Sequence, residues 1–241
     1  MPECGAGQSE CVPGRAVVVG ASSAIGTAVA VELAALGHEP VLWGRDAGRL
    51  EAARAACGGG RVDRVDVTDA GQVEAALARA RDGAPVDVAV WAAGSFAWGP
   101  ADAVDGAAWD AVLEVGLLAA ARFARLVLPD LLAAAPSALV LVGSGAARRA
   151  YADNATHVAA KHGLAGLAGG LWLDVRDRGV KVSLVSPGLV AAGAGLRSPA
   201  GQERPDQLLQ PEDVAAAVRF VVGFPARGCP VEVELQPQRT P

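Results

Sequence analysis

Long apolar runs are missing from this chain. No stretch approaches the ~20 residues that cross a bilayer, and residues 1–14 have neither the charged flank nor the apolar centre of a secretory signal. Blocks of one charge are missing too: the net charge of −5 comes from interspersed acids and bases. Without a basic stripe, nucleic acid and anionic lipid are poor partners, and a small molecule is the expected one. Cysteine is sparse, at Cys4, Cys11, Cys57 and Cys229 with no CxxC pair. These read as reduced, non-functional thiols of a cytoplasmic protein, and the lack of ligand spacing argues against a bound metal.

What the chain does have is alternation. Its 241 residues, 52% of them hydrophobic, suffice for one large α/β domain. After a Gly/Pro-containing tail over residues 1–14, the pattern predicts strands at 16–20, 40–43, 61–65, 86–92, 138–142, 180–185 and 231–235. Helices are predicted between them at 24–37, 47–57, 70–81, 107–135, 152–178 and 211–222. The strands are apolar throughout, as in a parallel sheet covered on both faces. The expectation is a single doubly wound Rossmann domain over 15–241, with a seven-stranded parallel sheet in the order 3-2-1-4-5-6-7. Its ligand crevice should lie at the carboxyl ends of the strands. The Gly- and Pro-rich segment 191–210 follows a strand end and reads as an irregular substrate lid.

The turn Gly20-Ala21-Ser22-Ser23-Ala24-Ile25-Gly26 joins the first strand to the first helix, where small residues let backbone approach a pyrophosphate at a helix N-terminus. A tight turn without a ligand is the plainer alternative. The second strand ends Trp43-Gly44-Arg45-Asp46, with no acid placed for a ribose 2′-hydroxyl. Arg45 is instead placed for a 2′-phosphate, which favours NADP(H), a solvated arginine being the alternative; Asp46 reads as a helix N-cap.

Gly20 to Gly26, then Asp66-Val67, then Ser186-Pro187-Gly188 follow one another in the order and spacing of the short-chain dehydrogenase/reductase family, which the chain resembles from Arg15 to about Pro237. The resemblance implies a nicotinamide dinucleotide held by Gly20, Ser22, Ser23, Ile25, Gly26, Arg45, Asp66, Val67, Ala92, Gly94, Lys161, Pro187, Gly188 and Val190. The ending from Pro211-Glu212-Asp213-Val214 to Gln236-Pro237 looks like the NADP-dependent branch.

Departures from the family pattern cluster at its chemistry. Trp91-Ala92-Ala93-Gly94 stands for Asn-Asn-Ala-Gly, with Ala24 in place of the turn's middle glycine. Gly116 stands for the relay asparagine, and Ala191, Ala192 and Gly193 occupy the stretch where a threonine is expected. The family's serine and Tyr-x-x-x-Lys align with Ser144 and His157-Val158-Ala159-Ala160-Lys161. Spacing i, i+4 keeps His157 and Lys161 on one helix face. With a reference pKa of ~6.5, an imidazole suits proton transfer near neutral pH, and the Lys161 charge should lower that value.

Three functions are open at this stage. One is ketone–alcohol interconversion with His157 as proton donor or acceptor and Ser144 as donor to the substrate oxygen. Another is a non-redox cyclase, isomerase or dehydratase with His157 as general base. The third is a silent NADP(H)-binding protein. Phe96, Trp98, Tyr151 and Leu189 would line an apolar pocket for an aromatic or polycyclic substrate, with Tyr151 a substitute proton donor in a minority reading. His162 reads as structural and His38 as solvated. The small residues of 164–170 imply close helix packing, and the family pairs these helices in a homodimer or homotetramer. Plentiful arginine against only Lys161 and Lys181 resembles GC-rich bacterial coding, a hint about source and not function; the substrate expected is a small metabolite of bacterial secondary metabolism.

Overall fold

Runs such as Ala16-Val17-Val18-Val19 bury every residue, Val17 and Val19 against one side of a sheet and Ala16 and Val18 against the other. A strand so placed needs helices on both faces, and the computed structural model, which describes residues 14–239, has them. Cys4, Cys11 and residues 1–13 of the expected tail lie outside the described residues. In chain order the elements are β1 (Arg15–Val19), α1 (Ala24–Ala35), β2 (Glu39–Gly44), α2 (Ala47–Ala56), β3 (Arg61–Arg64), α3 (Ala70–Ala80), β4 (Val86–Trp91) and α4 (Gly106–Leu113). They continue with α5 (Ala119–Ala133), β5 (Ser137–Val142), α6 (Ala155–Val175), β6 (Val180–Pro187), α7 (Gly193–Arg197), α8 (Pro199–Glu203), α9 (Pro211–Gly223) and β7 (Glu232–Leu235).

The seven strands form one parallel sheet in the order β3-β2-β1-β4-β5-β6-β7, as the alternation predicts. Val19 is in register with Trp43 of β2 on one side and Trp91 of β4 on the other. The chain reverses its direction of winding between β1 and β4, so the turns after β1, β2 and β4 splay around one crevice. Helices α3, α5 and α6 cover one face through Leu77, Phe123, Leu131 and Leu164; α1, α2 and α9 cover the other through Leu33, Leu50 and Val218. Trp43 and Trp91 both pack on Phe123, with centroid distances of 5.7 and 5.5 Å.

Three departures from the predicted elements have local causes. Helix α6 starts at Ala155 rather than Ala152 because Asp153 sits at φ 59, a left-handed conformation that cannot continue a helix. The long helix expected over 107–135 is α4 and α5 joined by a π turn, Glu114–Leu118, centred on Gly116. The segment 191–210 is not irregular. It holds α7, α8 and a 3₁₀ turn at Pro205–Gln207, and its ends meet through Leu209 N–H donating to the Leu189 carbonyl at 3.0 Å. Glycine permits this packing, since a Cβ on Gly195 would lie 2.0 Å from the Val190 carbonyl oxygen.

Asp46 caps α2 as read, accepting from Arg49 N–H at 3.0 Å. No helix among the described residues is long and apolar enough to cross a membrane. Polar anchors are few. Buried Arg15 pairs with Glu39 at 2.8 Å and donates to the carbonyls of Ala80, at 2.7 Å, and Asp82, tying β1 and β2 to the end of α3. Replacing Arg15 with alanine orphans those acceptors, so Arg15→Ala should lower unfolding free energy by about 3 kcal/mol in urea titrations.

Candidate active site

The crevice begins at Gly20. With φ at 86 it turns the chain sharply, and a Cβ there would lie 2.7 Å from the Ala93 nitrogen, so the turns after β1 and β4 meet backbone to backbone. Gly26 makes the second close approach: its Cβ would lie 2.2 Å from the Gly20 carbonyl oxygen. Ser23 locks this turn, donating to the Gly20 carbonyl at 2.8 Å and accepting from Gly26 N–H at 3.0 Å. The N-terminus of α1, with its unpaired N–H groups, is thereby set at the crevice.

The cleft above this turn has a volume of about 810 Å³. Of the dinucleotide residues read from the sequence, Gly20, Ser22, Ser23, Arg45, Asp66, Val67, Ala92 and Gly94 line it. Ile25 and Gly26 lie behind the turn on α1, while Lys161, Pro187, Gly188 and Val190 belong to neighbouring elements and are not in its wall. The Gly188 N–H donates to the Leu235 carbonyl at 2.7 Å, and the Val190 carbonyl accepts from Ala192 N–H at 2.7 Å. Sequence reasoning missed the opposite wall, made by Asp110, Leu113, Glu114 and Leu118 of α4 and the π turn. The helical spacing of 110, 113, 114 and 118 is the signal that could have found it. A smaller pocket of about 430 Å³ shares Arg45 and Asp66 with the cleft and adds Arg64 and Gln72. Hydrogen bonds from the Thr68 hydroxyl and N–H hold the Asp66 carboxyl below its ordinary pKa against the opposing effect of burial, with help from Arg45.

Outside the wall of this cleft, the turn after β5 carries Ser144, and α6 carries His157 and Lys161. Lys161 is buried and its Nζ donates to the Val142 carbonyl at 2.9 Å; burial pulls its pKa down to about 8. His157 is half-buried, and its ring meets Phe96 edge to face at 5.0 Å. Neither ring nitrogen has a hydrogen-bond partner among the described residues. Burial first, and the Lys161 charge second, lower its pKa to about 4. The sequence reading named only the lysine charge; desolvation, which disfavours imidazolium in an apolar niche, is the larger cause. His157 is therefore neutral at pH 7.

Ser144 Oγ accepts from Ala146 N–H at 3.1 Å, which leaves its own proton free to donate. Phe96 stacks with Trp98 at 5.8 Å, so an aromatic wall runs from His157 outward to the half-exposed Trp98. Tyr151, the only tyrosine, is half exposed with its hydroxyl 3.4 Å from where a Cβ on Gly145 would lie, beside Ser144. Leu189 is partly buried and pairs through its carbonyl with Leu209. Gly116 is buried, and a Cβ there would lie 3.1 Å from the Ala160 Cβ. Position 116 and α6 have closed on one another. Trp91 is in the core rather than in the cleft. His162 is exposed and bonds the Val158 carbonyl, whereas His38 is not solvated: its Nδ1 lies 3.2 Å from Asp87, because the turn after α1 folds it onto β4.

A parallel sheet with its switch point between β1 and β4, and a glycine turn that brings a helix N-terminus to that point, defines a dinucleotide-binding α/β protein. The pattern of the short chain dehydrogenase family matches residues 15–202, and the chain belongs to that family. It is 37% identical over 214 residues to a Mycobacterium tuberculosis protein named as an uncharacterized oxidoreductase, covering 88% of this chain and 84% of that one. Among solved structures it resembles a metagenomic short-chain oxidoreductase in complex with NADP, at 30% identity and TM-score 0.80 over 94% of this chain and 98% of that one. It also resembles an alcohol dehydrogenase from the archaeon Thermococcus sibiricus complexed with 5-hydroxy-NADP, at 25% identity and TM-score 0.85 over 95% and 98%.

The cradle fits a dinucleotide because the places where Cβ atoms would intrude are glycine. Gly26→Ala is expected to destabilise the fold by about 1–3 kcal/mol, the cost of overpacking, and to weaken nicotinamide dinucleotide binding at least ~10-fold. Fluorescence titration beside thermal unfolding measures both.

Proposed function

We propose that this protein is an NADP(H)-dependent oxidoreductase that interconverts an alcohol and a ketone on a small, largely apolar and aromatic substrate. The observation that carries the reading is a glycine-cradled cleft that presents Arg45, together with a half-buried His157 that feels the charge of buried Lys161 on the same face of α6. NADP(H), when bound, accepts or supplies the hydride. Gly20, Ser22, Ser23, Asp66, Val67, Ala92 and Gly94 would hold the dinucleotide, and Arg45 would face a 2′-phosphate.

Each side chain then has a separate task. Lys161, fixed on the Val142 carbonyl, keeps two N–H groups for the nicotinamide ribose and presents a positive charge to His157. Ser144 donates to the substrate oxygen. His157 moves the proton, and its neutral form accepts one from an alcohol. Phe96, Trp98, Tyr151 and Leu189 shape the substrate side, and 191–210 closes over it. The open face of α6, where a Cβ on Gly166, Gly169 or Gly170 would meet nothing within 4 Å and Leu173 is 59% exposed, supports a homodimer or homotetramer through the long helices.

The low pKa of His157 separates the two directions. With a value of about 4, neutral imidazole dominates across the physiological range and imidazolium amounts to about one part in a thousand at pH 7. Alcohol oxidation is expected to hold its rate from about pH 7 down to about 5 and to fall below about 4, as the base protonates. Ketone reduction should instead rise about 10-fold per pH unit between 7 and 5, because it needs the protonated ring. Nicotinamide absorbance over a panel of cyclic and aromatic alcohols and ketones reads both profiles.

The same neutral ring favours a second reading, a non-redox enzyme in which His157 is a general base and the closed position at Gly116 reflects a relay no longer needed. Substrate conversion with no change in nicotinamide absorbance would establish it over the first. His157→Tyr should lower alcohol oxidation about 100-fold if imidazole is the base. A gain of ketone reduction by that variant would instead mark a repurposed reductase site.

A further inference from the structure

Arginines of β3, of the turn after β2 and of helices α2 and α3 divide into two groups. Arg49, Arg54, Arg61 and Arg79 each reach a carboxylate, respectively of Asp46, Glu51, Glu39 and Asp63. Arg45 and Arg64 have no carboxylate within ion-pair distance among the described residues, yet both line the 430 Å³ pocket. They come from different strands, Arg45 just after β2 and Arg64 at the end of β3, brought side by side by the parallel register of Gly44 with Arg64.

Their relation is specific. Arg64 Nε donates to the Arg45 backbone carbonyl at 3.1 Å. One edge of its guanidinium is used to hold the adjacent strand end, which leaves the terminal N–H groups for a second acceptor. A Cβ on Gly44 would lie 2.8 Å from the Ser22 hydroxyl, so that hydroxyl sits over the strand end immediately before Arg45. Gln72 closes the far side, accepting from Asp66 N–H at 2.9 Å, and Asp66 is the one carboxylate in the wall. Two guanidinium groups against one carboxylate, with the Ser22 hydroxyl in the adjoining cleft wall, leave positive charge over for a doubly charged anion.

We propose that Arg64 is a second anion-binding arm that, with Arg45 and Ser22, holds the 2′-phosphate of the adenine ribose. This rests on the NADP(H) reading above and adds a residue to it. Arg64 plays two parts: its Nε fixes the Arg45 backbone, and its free N–H edge meets the phosphate.

Titration calorimetry with NADPH, NADH, 2′,5′-ADP and 5′-AMP on the wild type, Arg64→Ala and Arg64→Lys tests it. Arg64→Ala should weaken NADPH and 2′,5′-ADP about 10-fold and leave NADH and 5′-AMP within about twofold, the loss shrinking at high salt. Arg64→Lys should recover part of that loss, since lysine restores the charge but not the fork that spans carbonyl and phosphate. Both variants should melt with the wild type, because Arg64 is exposed. Equal losses for NADPH and NADH, no loss for either, or no recovery by lysine would overturn the proposal. A wild type that discriminates between the two dinucleotides while Arg64→Ala keeps full affinity removes Arg64 alone. A wild type that binds both equally removes the 2′-phosphate reading and Arg64 with it.

Discussion

The absence of a side chain at Gly20 is the constraint on which the cleft depends. Where β1 ends, its turn must pass against the backbone after β4, and a methyl group would lie 2.7–2.8 Å from three atoms of Ala92 and Ala93. Only glycine combines that approach with φ at 86. Because β1 lies between β2 and β4, displacing this turn would move Arg45 on one side and Ala92 to Gly94 on the other. Gly26 then brings α1 down onto the same point, so two glycines in one loop set the depth of the cleft and the position of the helix N-terminus that borders it.

The scarcity of lysine acquires a meaning in three dimensions. Lys181 donates to the Val222 carbonyl at 3.1 Å and to that of Phe224, holding the C-terminal end of α9, and Lys161 donates to the end of β5. Both are spent on backbone carbonyls in places that arginine's planar fork would fill differently. Arginine does the surface pairing instead. Burial gives Lys161 its second property, an amine whose pKa has fallen to about 8, and the same apolar niche that lowers it also keeps His157 neutral beside it. Charge on both groups at once is disfavoured by desolvation and by their mutual repulsion.

Position 116 and the aromatic wall both border α6 around His157 and Lys161. Gly116 lies in a π turn, a helical irregularity common at functional sites, and packs against Ala160, one residue before Lys161. An asparagine would press on α6. Phe96 meets His157 edge-on, so the shorter imidazole is held by a ring rather than by a hydrogen bond.

The fold was legible in the sequence because a doubly wound sheet announces itself by strand and helix period, and right-handed crossovers narrow the strand orders to a few, of which 3-2-1-4-5-6-7 is found. Gly20, Arg45 and Asp66 could be placed at the crevice for the same reason, since strand ends in such a sheet converge on one edge, whereas His157 and Lys161, inside α6, were singled out by the family resemblance. Other features depended on distance in space. The shared helix face of Asp110, Leu113, Glu114 and Leu118 could be read from spacing, but that it faces the cleft is decided only once α4 packs on α6. Arg64 looked like one arginine among many until the register of β3 with β2 set it beside Arg45. Helix α6 began three residues late, and the ordered excursion of 191–210 was missed, because a left-handed Asp153 and the close approaches at Gly195 and Gly201 are settled by tertiary contact. The sequence by itself determined which residues stand at the strand ends and that an imidazole and an amine share one face of α6. Only the tertiary structure decided that this imidazole is neutral, because its pKa is set chiefly by burial, and burial is a property of the packed chain.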